Sequence, residues 1–198
     1  MDLVLATTNL NKLAEISHIF GSMELAILTL ADVTLDDLDV EETGVTFSEN
    51  AYIKARFYTE KTGKLCVADD SGLEVKCLNN QPGVASNRWH PGSNHERNDA
   101  LLKRMEGEVD RAARFVTVVC LMAPHAEPVY FEGAVEGQIA QKPLGNAGFG
   151  YDPLFIPSGE SRTFAELGTE FKNKYSHRAR AFSQLKEYLV AQYQIGST

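Results

Sequence analysis

Asp69 and Asp70 stand at the end of an apolar run, Leu65 to Ala68, and are followed by Ser71 and Gly72. A second strand-like run, Leu73 to Leu78, comes next. Paired carboxylates delivered by a buried strand suit two kinds of chemistry. Their oxygens can hold a hard cation, or one of them can take a proton from water. The same residues also compose an ordinary Asp-Ser-Gly turn between two strands. In all these readings the spacing predicts a sharp turn at the acids.

Other stretches carry residue types that would complete such chemistry. Thr7, Thr8, Asn9, Leu10, Asn11 and Lys12 lie where a first strand gives way to a helix. Backbone N–H groups at a helix start, with a lysine beside them, suit a phosphate. There is no G-x-x-x-x-G-K, and a plain β–α connection would use the same polar caps. Residues 145–153 contain Gly145, Gly148 and Gly150 with Phe149, Tyr151 and Asp152. Glycines permit close backbone approach of a ligand, and an exposed aromatic between them can stack a base. A glycine-rich loop with a core aromatic has the same composition. Residues 171–178 gather Lys172, Lys174, His177 and Arg178 just ahead of the last helix. Cations at a helix start oppose its macrodipole, which points to an anionic or polar ligand rather than to folding; a solvated basic loop is the bland alternative. Glu41 and Glu42 close an acidic segment that begins at Asp32. That segment lacks the alternating acids and glycine of a calcium loop.

These residues need elements to position them. Residues 2–8 read as a buried strand, and Leu13, Ile16, Ile19 and Phe20 follow helical spacing. Leu25 to Leu30 reads as a second strand. Thr46-Phe47-Ser48-Glu49 fits a capping box for a helix ending near Gly63, with Asn50 and Lys54 in its first turns. Residues 84–94 read as an irregular loop, and His95 to Met105 as an amphipathic helix. Ala112 to Ala123 and Val129 to Ile139 form an expected hairpin, and Leu154 to Ile156 a short strand. Thr163-Phe164-Ala165-Glu166 is a further capping box. Ser176 reads as the N-cap of a helix striped by Phe182, Leu185 and Leu189. The tail 196–198 reads as frayed.

The bulk properties narrow the class. The chain has 198 residues, 43% of them hydrophobic and 23% charged, ordinary for a globular protein. No apolar run approaches bilayer length, and Met1-Asp2-Leu3-Val4-Leu5 lacks the basic start of a secretory signal. Cys66, Cys77 and Cys120 lie in apolar runs with no C-x-x-C, which argues for reduced thiols in a cytoplasmic protein and against zinc. A net charge of -8 argues against a general nucleic-acid surface.

Five separated segments resemble the inosine triphosphate pyrophosphatase family. They are Ala6-Thr7-Thr8-Asn9 through Lys12 with Glu15; Glu42-Thr43-Gly44 and Thr46-Phe47 through Lys54-Ala55; Asp69-Asp70-Ser71-Gly72-Leu73; Gly148-Phe149-Gly150-Tyr151-Asp152-Pro153; and Lys172-Asn173 with Ser176-His177-Arg178. They run in the family's order along nearly the whole chain. One loop departs from the pattern: after Pro82-Gly83-Val84 the family has an aromatic and Ser-Ala-Arg, where this chain has Ala85-Ser86-Asn87-Arg88.

The resemblance implies an α/β fold, a long curved mixed sheet flanked by helices in two lobes with a central active-site cleft, and a single catalytic domain over 1–198. It implies a homodimer that uses Mg²⁺ to convert ITP, dITP and XTP into nucleoside monophosphate and pyrophosphate. Asp70 would be the general base and, with Glu41 or Glu42, a metal ligand, Asp69 standing behind them. Thr7 to Lys12, Lys54, Ser71 and Lys172 would hold phosphates. Phe149, with Gly150 and Tyr151 beside it, would stack on the purine. His177 and Arg178 would donate to a 6-keto oxygen, and Asp152 would orient Arg178 or read the base edge. A pyrophosphatase for pyrimidine or modified nucleotides, and a nucleotide-binding regulator without catalysis, are the alternatives.

Overall fold

A computed structural model describes residues 1–21 and 23–193; the tail expected to fray lies outside them. Among the described residues a seven-stranded sheet runs in the order β2-β1-β3-β5-β6-β7, with β4 beside β3. The strands are β1 Asp2–Leu5, β2 Ala26–Leu28, β3 Leu65–Val75, β4 Gln81–Pro82, β5 Ala112–Met122, β6 Val129–Ile139 and β7 Phe155–Pro157. The helices are α1 Leu10–Phe20, α2 Phe47–Thr62, α3 Asn94–Arg104, α4 Phe164–Tyr175 and α5 His177–Tyr193. The sheet is mixed: β1 is parallel to β2 and β3, while β3–β4 and β6–β7 are antiparallel.

The described residues divide into two compact units, one of residues 1–21, 23–70, 117–133 and 178–193, the other of residues 71–116 and 134–177. In the first, β1 and β3 are in register as Leu3↔Leu65, Val4↔Cys66 and Leu5↔Val67. Side chains alternate across a strand, and the core records it. Leu3, Leu5, Leu65 and Val67 pack with Ile16 and Phe20 of α1 and Phe182, Leu185 and Leu189 of α5. Val4, Ala6, Cys66 and Ala68 pack with Ala51, Ala55 and Tyr58 of α2. Each face of this parallel sheet thus has its own helical cover, as both-side burial requires. In the second unit, Leu73, Val75, Phe115, Val135 and Ile139 pack with Leu101 and Met105 of α3 and with Tyr151, Leu154, Phe155 and Phe164.

The local signals explain the helix ends. Thr46 and Glu49 form the expected capping box on α2, and Gly63 ends it in the left-handed conformation at φ 63°. Thr163 and Glu166 cap α4 in the same way. The third box, Ser93 with Glu96, starts α3, a Ser-x-x-Glu signal that sets the start one residue before the expected His95. The helix α1 also begins early, at Leu10, because the Asn9 side chain caps it by accepting from the Asn11 and Lys12 N–H groups.

The expected sharp turn at the acids is absent. β3 is one continuous strand of 11 residues, so Asp69 and Asp70 lie within it and Gly72 serves no turn. The strand is paired to β1 over Leu65–Val67 and to β4 over Glu74–Val75 and neighbours β5, and the acids between those pairings keep extended backbone despite their turn-like composition, because tertiary context overrides weak local preference. The three cysteines are free thiols, Cys66 and Cys120 buried. No helix among the described residues is long and apolar enough to cross a membrane.

Candidate active site

The acids are buried, Asp69 at 2% and Asp70 at 5% exposure, and the first unit surrounds them with different partners. Lys12, in the first turn of α1, donates to Asp69 Oδ2 at 2.9 Å. Arg178, at the start of α5, places Nε 3.6 Å from the same oxygen and donates through Nη1 to Glu15 Oε2 at 2.5 Å. Lys54 of α2 donates to the Asp69 carbonyl at 2.8 Å and to Glu42 Oε1 at 2.5 Å. Asp70 instead accepts from Asn50 Nδ2 of α2 at 3.1 Å, and the Asn50 oxygen accepts from Gly44 N–H at 2.8 Å.

The two carboxyls differ in acidity for physical reasons. Burial opposes ionisation of Asp69, but the charges of Lys12, Arg178 and Lys54 outweigh it and hold the group well below the usual carboxylate range. Burial pushes Asp70 up; Glu42 adds to the rise, while Lys54, Lys12 and the Asn50 hydrogen bond oppose it. Burial lowers the Lys12 ammonium, with Asp69 opposing. One acid is therefore a fixed anion within a cation cluster, and the other is a carboxylate whose proton affinity is raised. Perturbed acids of this kind concentrate at functional sites.

Of the two glutamates, Glu42 is half-buried, bonded to Lys54 and electrostatically felt by Asp70, whereas Glu41 is exposed. No group of three or more His, Cys, Asp or Glu side chains able to hold a metal occurs among the described residues. Mg²⁺ does not need one: it is held through one or two carboxylates, waters and substrate phosphates. Asp70 and Glu42 fit that donor set. Ahead of α1, Thr7 Oγ1 accepts from Asn9 N–H, while Thr8, Leu10 and Asn11 are exposed. Ser71 is half-buried next to the acids in β3.

The second unit builds a different cluster. Gly148 and Gly150 adopt φ of 76° and 62°. A methyl group on Gly148 would collide with the Asp152 carboxylate, so glycine is required where the loop folds back. Asp152 Oδ2 accepts from Phe149 N–H at 2.8 Å and from Lys172 Nζ at 2.6 Å. The Lys172 ammonium lies 4.1 Å from the centre of the half-buried Phe149 ring. Tyr151 is buried, and burial pushes its phenol up to about 12. His177, 3% exposed, stacks on Phe115 with ring centres 4.5 Å apart. The structure thus pairs Asp152 with Lys172 and brings Lys172 to the aromatic loop. Adjacent residues at the start of α5 serve different neighbourhoods, His177 the aromatic one and Arg178 that of the acids.

Sequence reasoning named Asn50 and Glu15 without giving either a role. Asn50 lies four residues before Lys54, and Glu15 three residues after Lys12. On a helix these intervals put both members on one face, a signal that pairs each with its lysine.

The first unit thus carries a buried acid pair set among Lys12, Lys54 and Arg178 on a mixed α/β fold. The family model described as the Ham1 family matches residues 3–188, and the chain belongs to that family. A "dITP/XTP pyrophosphatase" from Deinococcus deserti is 44% identical over 184 residues, 92% of this chain and 86% of the relative. Another so named, from Thermus thermophilus, is 45% identical over 191 residues, 94% of this chain and 91% of the relative. Among solved structures, a Ham1 protein from Coxiella burnetii superposes with a TM-score of 0.89 at 40% identity, covering 96% of this chain and 99% of that one. The Staphylococcus aureus Ham1 protein gives 0.88 at 36% identity, covering 97% and 100%.

Proposed function

We propose that this chain is a nucleoside triphosphate pyrophosphatase that hydrolyses ITP, dITP and XTP to the monophosphate and pyrophosphate, cleansing the nucleotide pool. The observation that carries the reading is the asymmetric acid pair, Asp69 fixed by Lys12 and Arg178 and Asp70 raised beside Glu42. Its family membership and similarly named relatives support it. Residues 1–198 act as one catalytic domain, in a cytoplasmic homodimer.

Asp70 takes a proton from the water that attacks the α-phosphorus, and pyrophosphate leaves. Its raised proton affinity brings the base closer to working pH. Asp70 and Glu42 would hold Mg²⁺, which when bound neutralises phosphate charge and makes water more acidic. Glu42 is preferred to Glu41 because it stands with Lys54. Thr7, Thr8, Asn9, Leu10, Asn11, Lys12, Lys54 and Ser71 contact the phosphates. Phe149 stacks on the base, flanked by Gly150 and Tyr151, with Lys172 set by Asp152 against its ring. His177 and Arg178 donate to the 6-keto oxygen. Adenine presents a donor there, and buried donors left unpaired discriminate strongly.

The test is turnover of ITP, dITP, XTP, ATP, GTP, dUTP and dTTP with Mg²⁺, with product analysis for pyrophosphate. Faster cleavage of the deaminated purines is expected. If ITP and XTP were no better than ATP, the reading fails; preference for dUTP or dTTP would favour the pyrimidine alternative. No turnover of any of them would favour the regulator.

A further inference from the structure

Asn98 lies in the second turn of α3 and is 3% exposed. Its Nδ2 donates to the Gly150 carbonyl at 3.2 Å, the residue between Phe149 and Tyr151. That donation fixes the orientation of the amide and leaves Oδ1 buried with no hydrogen-bond partner among the described residues. The amide's one bond is to the backbone of the aromatic loop.

A second tether reaches the same loop. The Tyr151 hydroxyl donates to the Ser86 carbonyl at 3.0 Å. Ser86 is itself held, its Oγ accepting from Leu73 N–H at 2.9 Å and donating to the Gly83 carbonyl at 2.6 Å. Ser86 therefore anchors the loop to β3. Gly148 and Gly150 have little conformational preference of their own, so such a loop needs outside fixation to present an aromatic ring in one pose.

We infer that Asn98 is a positioning residue: with the Ser86 carbonyl it holds residues 148–151 in the pose that presents Phe149 to a planar ligand, a purine base. The ligand class rests on the function proposed above; the tether does not. Asn98→Leu keeps the branching and heavy-atom count and removes one neutral bond, which at about 1 kcal/mol is about five-fold in a local equilibrium. Expected are amide exchange at Phe149 and Gly150 about five-fold faster and a KM for ITP about five-fold higher, with kcat changed less than two-fold. A merely space-filling role would leave KM and local exchange unmoved. Unchanged exchange overturns the tether, and faster exchange with an unchanged KM for ITP overturns its use in binding. Should Asn98→Leu not fold, Tyr151→Phe, which cuts the other tether, must speed exchange in the same residues, and unchanged exchange there overturns the pose. If the wild type does not turn over ITP, the proposed function fails, and exchange alone decides whether Asn98 holds the loop.

Discussion

Replacing Asp69 by Asn keeps the side-chain shape and removes the charge that Lys12 and Arg178 face. The three side chains are 1%, 15% and 2% exposed, so water cannot take the place of the lost partner. Breaking a buried ion pair by removing one member costs about 3–5 kcal/mol. For a chain of this size that lowers Tm by roughly 6–20 °C. The sign of the pH dependence follows from the depressed folded-state acidity of Asp69. Its stabilisation is fully present above the unfolded carboxylate value of about 3.9 and is lost as pH falls below that toward the folded value. At pH 3 the wild type should have lost about 1 kcal/mol of this contribution relative to pH 7, while Asp69→Asn has none to lose. The assay is denaturant unfolding of both proteins at pH 7 and, where both still fold, at pH 3. The gap should be several kcal/mol at pH 7 and narrower at pH 3. A pH 7 gap below about 1 kcal/mol, the range of an exposed pair, would refute the claim that Asp69 anchors the cation cluster.

The remaining predictions concern function more directly. Asp70→Asn should lower kcat by about 10²–10⁴-fold, the usual contribution of a positioned base, yet leave Tm at pH 7 equal or higher, since burial disfavours the ionised acid it replaces; a clear fall in Tm counts against that account. kcat/KM should fall on the acid side of its pH profile, because protonating Asp70 removes the base, and this limb should be missing from the residual activity of Asp70→Asn; an unchanged limb in that variant contradicts the assignment. Lys172→Met removes the ammonium 2.6 Å from Asp152, which is 1% exposed, and should cost about 3–5 kcal/mol, with Lys172→Met/Asp152→Asn recovering much of it in denaturant unfolding; no recovery would mean the pair is not the source. Chelation should abolish turnover and Mg²⁺ restore it, and Glu42→Gln should raise the Mg²⁺ needed for half-activity more than Glu41→Gln does, the reverse order pointing to Glu41.

Helix ends were legible in the sequence because their causes are local. The Thr46–Glu49 box, the Thr163–Glu166 box and Gly63 each act within a turn. The course of β3 was not, because Asp-Ser-Gly carries turn preference while its strand neighbours are distant in sequence. The candidate site shows the same division. Residue types announced an acid, lysines and an aromatic loop. That Lys12 meets Asp69, 57 residues away, and that Lys172 meets Asp152 is set by packing, and a list of charges does not choose among possible partners. Glu41 and Glu42 are chemically alike and adjacent; Lys54 distinguishes them.

Asp69 and Asp70 share an unbroken strand, Asp69 in phase with Leu65 and Val67 and Asp70 in phase with Cys66 and Ala68. A strand with no turn between the acids acts as a two-way sorter: parity in the chain decides which helix each carboxylate meets. Insertion or deletion of a single residue between Leu65 and Ala68 would exchange the assignments, sending the proposed base toward α1 and α5 and the fixed anion toward α2. Composition would be almost unchanged and both acids would remain, yet neither would keep its protonation behaviour. This strand should therefore tolerate changes of residue type far better than changes of length.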